Sequence, residues 1–300
     1  MIKATTPAKI NLIFEVGELA QNGYHPVNSL YLELDLREEI VIKEGVDGVV
    51  ISVDGDLPAR HLNAVPKDSS NLIYKVALAL CSKLGVELPA INVDLYKRIP
   101  VAGGMAGGSA DAAAMLVAFN TYLHENLGTE LLTNEELKDL AATLGSDIPF
   151  LIDGGLAIGV GRGEQLTSLA PLPFETFWVI CVSNEGLSTP VVFGRFDEIF
   201  DVEPFSDFEA LEIGSIDDLA LVMANDLEEA AISLLPSIES SKAKLEDLGA
   251  LKAMVSGSGP SVIGLFRSLE EAELARVSIN NSGGFALVAS ASYAGTRLEN

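Results

Sequence analysis

Apolar and polar residues alternate strictly from Leu30 to Leu36. Leu30, Leu32, Leu34 and Leu36 share one face, and Tyr31, Glu33 and Asp35 share the other. A period of two is that of a strand covered on one side, so the segment is predicted as a half-buried strand. Ile2 to Val16 reads as one or two strands and Gly17 to His25 as a turn-rich connection. Ile40–Lys43 and Val49–Val53 continue the β pattern, with a hairpin expected between them. Ile91, Val93 and Leu95 alternate again, in a strand that runs into a glycine-rich loop.

Around this strand the period changes to that of a helix. Ser69 or Ser70 is a candidate cap for a helix to about Leu84 that presents Leu72, Val76, Leu80 and Leu84 on one face, and Gly85 ends it. Ala110 to about His124 is a second helix. Thr133–Glu136 is a capping box for a third, which stops at Gly145. Strands are predicted at Leu156–Val160, Glu164–Leu169 and Phe177–Val182, with a glycine turn around Arg162. Ser188 is a cap followed by Pro190 in a first helical turn. The acidic stretch Asp201–Ile213 reads as a loop, and two helices follow at about Ile216–Leu234 and Ser237–Leu248. Then come a strand (Leu251–Val255), a glycine loop (Ser256–Gly259), a strand (Val262–Phe266), a helix (Leu269–Ile279) and a strand (Phe285–Ser292). The class is α+β, and a boundary near Thr167–Phe177 divides the chain into domains at 1–170 and 171–300.

Charge narrows the partners. The chain carries 43 acidic and 19 basic residues, a net charge of −24, which repels nucleic acid and anionic membranes at long range. An anionic ligand therefore needs a local positive pocket. Cys81 and Cys181 lie in apolar patterns and read as core thiols, with no disulfide or zinc framework. No signal peptide is read at the start, and no apolar run reaches the roughly 18 residues of a membrane helix. A cytoplasmic protein is expected.

The loop between the Ile91 strand and the Ala110 helix holds the candidate chemistry: Gly103, Gly104, Gly107 and Gly108, then Ser109. Glycine lets backbone N–H groups face a ligand, and a helix N-terminus adds unpaired N–H groups and the positive end of its dipole. Together they make an anion site, most often for phosphate. Close strand-to-helix packing is the other explanation for such glycines. The loop is not a Walker A motif, because Ser109-Ala110 stands where Lys-Ser/Thr is required.

Four segments taken together resemble the GHMP kinases: Pro7–Leu12, Pro100–Ala113, Leu144–Phe150 and Ser256–Val262. Asn22–Ile40 and Leu187–Phe193 narrow the resemblance to members that act on a cytidine diphosphate-linked polyol. The resemblance covers nearly the whole chain and is weakest across Asp54–Lys67 and Asp201–Ser215. It implies a two-domain fold, with an N-terminal domain like ribosomal protein S5 domain 2, a C-terminal α/β sandwich domain, and the cleft between them. It also implies ATP as phosphoryl donor, Mg2+, and a small-molecule substrate. Another GHMP kinase, of homoserine or mevalonate type, and a non-catalytic nucleotide-binding regulator are the alternatives. Tyr24, His25 and Phe193 speak against the first, and retention of Lys9 and Asp147 against the second.

The resemblance assigns roles residue by residue. Asp147 becomes the base that accepts the substrate hydroxyl proton; from the residues alone it reads equally as the N-cap of a short helix. Lys9, between Ala8 and Ile10, reads alone as a solvent-facing lysine; the resemblance places it beside Asp147. ATP binding falls to Pro100, Val101, Ala102, Gly103, Gly104, Met105, Ala106, Gly107, Gly108, Ser109 and Ala110, with Ser256–Ser261 as a wall near the phosphates. Substrate binding falls to Asn11, Tyr24, His25, Thr189 and Phe193, with the aromatic rings of Tyr24 and Phe193 flanking the cytosine. Ala106 stands where many members carry glycine and Ala110 where many carry serine, so no metal ligand is assigned.

Overall fold

The computed structural model describes residues 1–300 other than Asn22, Ala102, Asp201 and Asn300. In chain order the elements are β1 (Ile2–Val16), β2 (Val27–Glu44), β3 (Val49–Gly55), α1 (Ala59–Asn63), α2 (Leu72–Leu84), β4 (Ile91–Lys97), α3 (Gly107–Leu127), α4 (Asn134–Leu144), α5 (Ile148–Asp153), β5 (Leu156–Gly161), β6 (Gln165–Leu169), β7 (Phe177–Cys181) and α6 (Thr189–Ile199). There follow α7 (Ile216–Val222), β8 (Ala224–Asn225), α8 (Glu228–Leu234), α9 (Ser237–Asp247), β9 (Lys252–Val255), β10 (Val262–Phe266), α10 (Leu269–Asn281), β11 (Ala286–Ser290) and β12 (Arg297–Glu299).

Two sheets organise them. The first has eight strands in the order β12–β1–β2–β4–β3; β5 pairs with β2 and β6, and β8 runs parallel to β1. The second has four strands in the order β11–β7–β10–β9, all antiparallel. Helix α3 packs on β1 and β2 of the first sheet and against α2; α9 and α10 pack on the second sheet. One apolar core runs from Ile10, Leu32 and Phe119 to Trp178 and Ile263, so it joins the two sheets. A second core lies between the second sheet and α6, α8, α9 and α10.

The expected hairpin after Ile40–Lys43 does not form. Strand β4 lies between β2 and β3, antiparallel to the former (Ile40↔Leu95) and parallel to the latter (Ile51↔Val93). Buried Ile91, Val93 and Leu95 suit a central strand, whereas Val50 of β3 is 48% exposed and suits an edge. The face of β2 expected to be polar is also covered, since Tyr31 and Glu33 are buried. The Glu33 carboxylate collects the backbone N–H groups of Gly155, Ala294 and Gly295 and the Arg37 guanidinium, which satisfies its oxygens away from water.

Two helix expectations shift. The cap of α2 is Asn71, whose side chain accepts from Ile73 N at 2.8 Å, because Ser70 is engaged with Asp68. The helix expected over Ile216–Leu234 breaks at Met223–Leu227. There Asn225 donates to the carbonyls of Val255 and Gly257 and accepts from Leu227 N, and Asp226 accepts from Val16 N. Such side-chain bonds compete with the helical ladder. The capping box at Thr133–Glu136 and the stop at Gly145 are present as read. No helix among the described residues is long and apolar enough to cross a membrane.

Candidate active site

Strand β1 carries Lys9, and its pairing with β2 slips at Pro7/Ala8 and again at Asn11/Ile13. Such bulges re-aim side chains. Lys9 is 4% exposed, with its ammonium 2.8 Å from Asn11 Oδ1 and 3.8 Å from Asp147 Oδ2, and 5.3 Å from the centre of the Tyr31 ring. Asn11 in turn donates to Ser29 Oγ at 2.7 Å. Burial lowers the Lys9 pKa from the ordinary lysine value, and the Asp147 carboxylate works against that shift. Asn11 is fully buried and faces Lys9 rather than the cavity, so it orients the ammonium.

Asp147 stands at the N-terminus of α5, at the N-cap position. Its carboxylate makes no capping hydrogen bond, unlike that of a structural cap, and it lines the cavity beside Ser146. Thr296 fixes the far end of this short helix, because its hydroxyl donates to Leu151 O at 2.7 Å.

The cavity measures about 860 Å³ and is lined from both halves of the chain. Gly103, Gly104, Ala106, Gly107, Gly108 and Ser109 line one side, and Gly257, Ser258 and Gly259 face them. The glycines divide by cause. A Cβ on Gly104 would sit 1.9 Å from Ser256 O, and one on Gly103 would sit 2.7 Å from Ser261 Oγ. Those two allow the two glycine loops to pack. A Cβ on Gly108 would meet only Leu72 Cδ1, at 3.9 Å, so nothing in the protein demands glycine there. That position, exposed at the N-terminus of α3, is where a ligand can approach the backbone. Of the remaining loop residues, Pro100, Met105 and Ala110 are buried, Val101 does not line the cavity, and Ala102 lies outside the described residues.

At the other end of the cavity Tyr24, His25, Thr189, Phe193 and Asp197 come together. Tyr24 is 57% exposed, and the Arg162 guanidinium lies 5.6 Å from its ring centre. The His25 and Phe193 rings are 5.2 Å apart, tilted by 35°. His25 Nδ1 is 2.8 Å from Gly17 O, which can only accept, so Nδ1 carries hydrogen. Its Nε2 lies 3.3 Å from Asp197 Oδ1. Thr189 and Ser258 share a hydroxyl–hydroxyl hydrogen bond of 2.9 Å, which links the two ends of the cavity.

This geometry has counterparts among known proteins. Residues 71–155 match the GHMP kinases N terminal domain, and residues 207–284 match the GHMP kinases C terminal domain. The 4-diphosphocytidyl-2-C-methyl-D-erythritol kinase of Salinispora arenicola is 39% identical over 90% of this chain and 85% of its own length. The chain belongs to the 4-diphosphocytidyl-2-C-methyl-D-erythritol kinase family. A crystal structure of 4-(cytidine 5'-diphospho)-2C-methyl-D-erythritol kinase superposes with a TM-score of 0.77 at 28% identity, over 97% of this chain and 99% of the other. A homoserine kinase from Cytophaga hutchinsonii shares the fold alone, with a TM-score of 0.67 at 20% identity, over 99% of this chain and 97% of its own.

In this member of the 4-diphosphocytidyl-2-C-methyl-D-erythritol kinase family the glycine loop carries backbone strain at Ala106. Ala106 is the N-cap of α3 with φ +60°, a left-handed conformation that costs a Cβ-bearing residue about 1–2 kcal/mol. Beneath the loop lies a feature that single-sequence reasoning missed. Lys97, fully buried at the end of β4, reaches Glu38 (2.6 Å), both Asp111 oxygens (2.9 and 3.0 Å) and Gly107 O (3.2 Å). Glu38 also accepts from Ile99 N at 3.0 Å. Burial first, then the Asp111 charge, pushes the Glu38 carboxyl well above the ordinary carboxylate range, with Lys97 opposing. The cluster anchors both ends of the glycine loop. Arg162 and Asp197 were missed too. Both are charged residues on exposed segments, and their pairing with the site is set by the fold rather than by local pattern.

Proposed function

We propose that the chain transfers the γ-phosphoryl group of ATP to the 2-hydroxyl of 4-diphosphocytidyl-2-C-methyl-D-erythritol. It is an ATP-dependent small-molecule kinase of isoprenoid precursor synthesis. The observation that carries the reading is the Lys9–Asp147 pair, 3.8 Å apart, in one cavity with the N-terminus of α3.

The roles follow from charge and position. The triphosphate rests on the loop at Gly107–Ser109, where the helix N-terminus supplies N–H groups without a basic surface. Asp147 accepts the proton of the attacking hydroxyl, and the Lys9 ammonium offsets the charge developing on the oxygen. Transfer of this kind depends mainly on positioning and electrostatics. Among the described residues no cluster of three or more His, Cys, Asp or Glu could cage a metal. Mg2+ needs no cage, because it keeps water and phosphate oxygens as most of its ligands. Ser109 lines the cavity at the start of α3 and would complete its shell, and the ion would neutralise charge on the phosphate oxygens.

The nucleoside end explains the substrate. Tyr24 and Phe193 offer faces for the cytosine, and stacking of a base on an aromatic ring is worth about 1–3 kcal/mol. His25 Nε2 and Asp197 Oδ1, 3.3 Å apart, face the same end of the cavity and meet the polar edge of the base there. Homoserine and mevalonate have no base to stack on Tyr24 and Phe193, so this end of the cavity favours a cytidine substrate over them. We keep the division into domains at 1–170 and 171–300, with β8 and β12 crossing back to the first sheet. ADP release by the purified protein tests the reading. Release that depends on the cytidine substrate is expected; release driven instead by homoserine or mevalonate, or by no substrate, would overturn it.

A further inference from the structure

We infer that Arg162 binds the diphosphate of the nucleoside diphosphate substrate and so selects it over the bare nucleoside. This rests on the cytidine reading of the Tyr24–Phe193 end. Two anions have to be held in one cavity of a protein with a net charge of −24. The α3 N-terminus accounts for one of them. Among the described lining residues the lysine and arginine cations are Lys9 and Arg162; Lys9 is buried beside Asp147, whereas the Arg162 side chain is 40% exposed at the Tyr24 end. Arg162 sits at the tip of the β5–β6 turn, against Tyr24. Tyr24, Arg162, Ser146 and Asp147 line one cavity, so a ligand stacked on Tyr24 with its hydroxyl at Asp147 has its diphosphate within the span that Arg162 overlooks.

The side chain is held for such a task. Glu164 accepts from Arg162 N at 2.7 Å and lies 3.5 Å from Nε, and Nη2 donates to Ala142 O at 3.0 Å. These partners orient the guanidinium from behind and leave donor capacity, and its planar fork matches diphosphate oxygens. The side chain is 40% exposed, so an incoming anion reaches it without a rearrangement of the core.

The test is the affinity of the intact protein for CDP and for cytidine, measured by calorimetry in wild type, Arg162→Ala and Arg162→Lys. Wild type is expected to prefer CDP, with a preference that falls as salt rises. Arg162→Ala is expected to lose about 10-fold or more in CDP affinity, to bind cytidine and an ATP analogue as wild type does, and to lose the salt dependence. Arg162→Lys keeps the charge without the fork and falls between. An alanine variant that still discriminates CDP from cytidine as wild type does, or that loses both ligands equally, overturns the assignment. A wild type that binds neither compound overturns the cytidine reading, and this assignment with it.

Discussion

Two buried lysines face carboxylates in this molecule, and they are arranged in opposite ways. Lys97 is enclosed: three side-chain and main-chain partners surround its ammonium within 3.2 Å, and no part of it is exposed. Burial lowers its pKa, but Asp111 and Glu38 outweigh burial, and the net shift is upward. Lys9 has one close acceptor, Asn11, and a carboxylate at 3.8 Å; there burial wins and the net shift is downward. A fully matched ion cluster holds a loop in place. An under-matched one keeps interaction energy in reserve for charge that a reaction creates. The difference distinguishes the enclosed lysine from the one proposed to act on substrate, without reference to any relative.

Replacing each in turn sets the contrast against measurement. Lys97→Met removes the cation from the buried Glu38–Asp111 pair and is expected to lower the unfolding free energy by about 3–5 kcal/mol in urea titration. A loss below about 1 kcal/mol would mean that the cluster does not hold the loop. Asp147→Asn leaves the enclosure intact and is expected to keep ATP affinity while turnover falls by about 10²-fold or more. Near-normal turnover would remove Asp147 as the base. Lys9→Met is expected to impair turnover yet shift the unfolding free energy by less than about 1 kcal/mol, since release of a desolvated ammonium offsets the lost bond to Asn11.

The smallest effect is in pH. The unfolded chain protonates Lys9 more readily than the folded protein does, so Lys9 costs stability below its lowered pKa, and the cost disappears as pH rises toward the ordinary lysine value. Lys97 contributes stability below the ordinary lysine value and loses it as pH rises through its raised pKa. Relative to wild type, Lys9→Met therefore loses ground with rising alkalinity while Lys97→Met recovers it. Parallel trends in the two variants would erase the contrast.

Features with short-range causes were legible in the residues. The capping box at Thr133–Glu136, the alternation of Ile91, Val93 and Leu95, and the glycines ahead of α3 each follow from neighbours a few positions apart. What depended on distant partners was not. Lys97 meets Glu38 59 residues away, and Glu33 meets Gly295 262 residues away. Glu33 looks solvent-facing in a strand pattern that shows only one face of burial. The insertion of β4 beside β2 was hidden for the same reason, because pairing choice is not written in periodicity. Lys9 and Asp147 were located through the resemblance; their individual settings, an apolar strand and a helix start, each admit a plainer explanation.

The outer edge of β1 is closed in two pieces: β12 covers Lys3 to Thr5, and β8 covers Ile13 and Phe14. The bond from Thr5 to Glu299 spans 294 residues. During synthesis, therefore, the strand that carries Lys9 leaves the ribosome long before its neighbours on that side exist, and it waits with open backbone donors and acceptors. Completion of the sheet around Lys9 is thus a late event in the life of a nascent chain, and the interval before it is when a chaperone has most to protect.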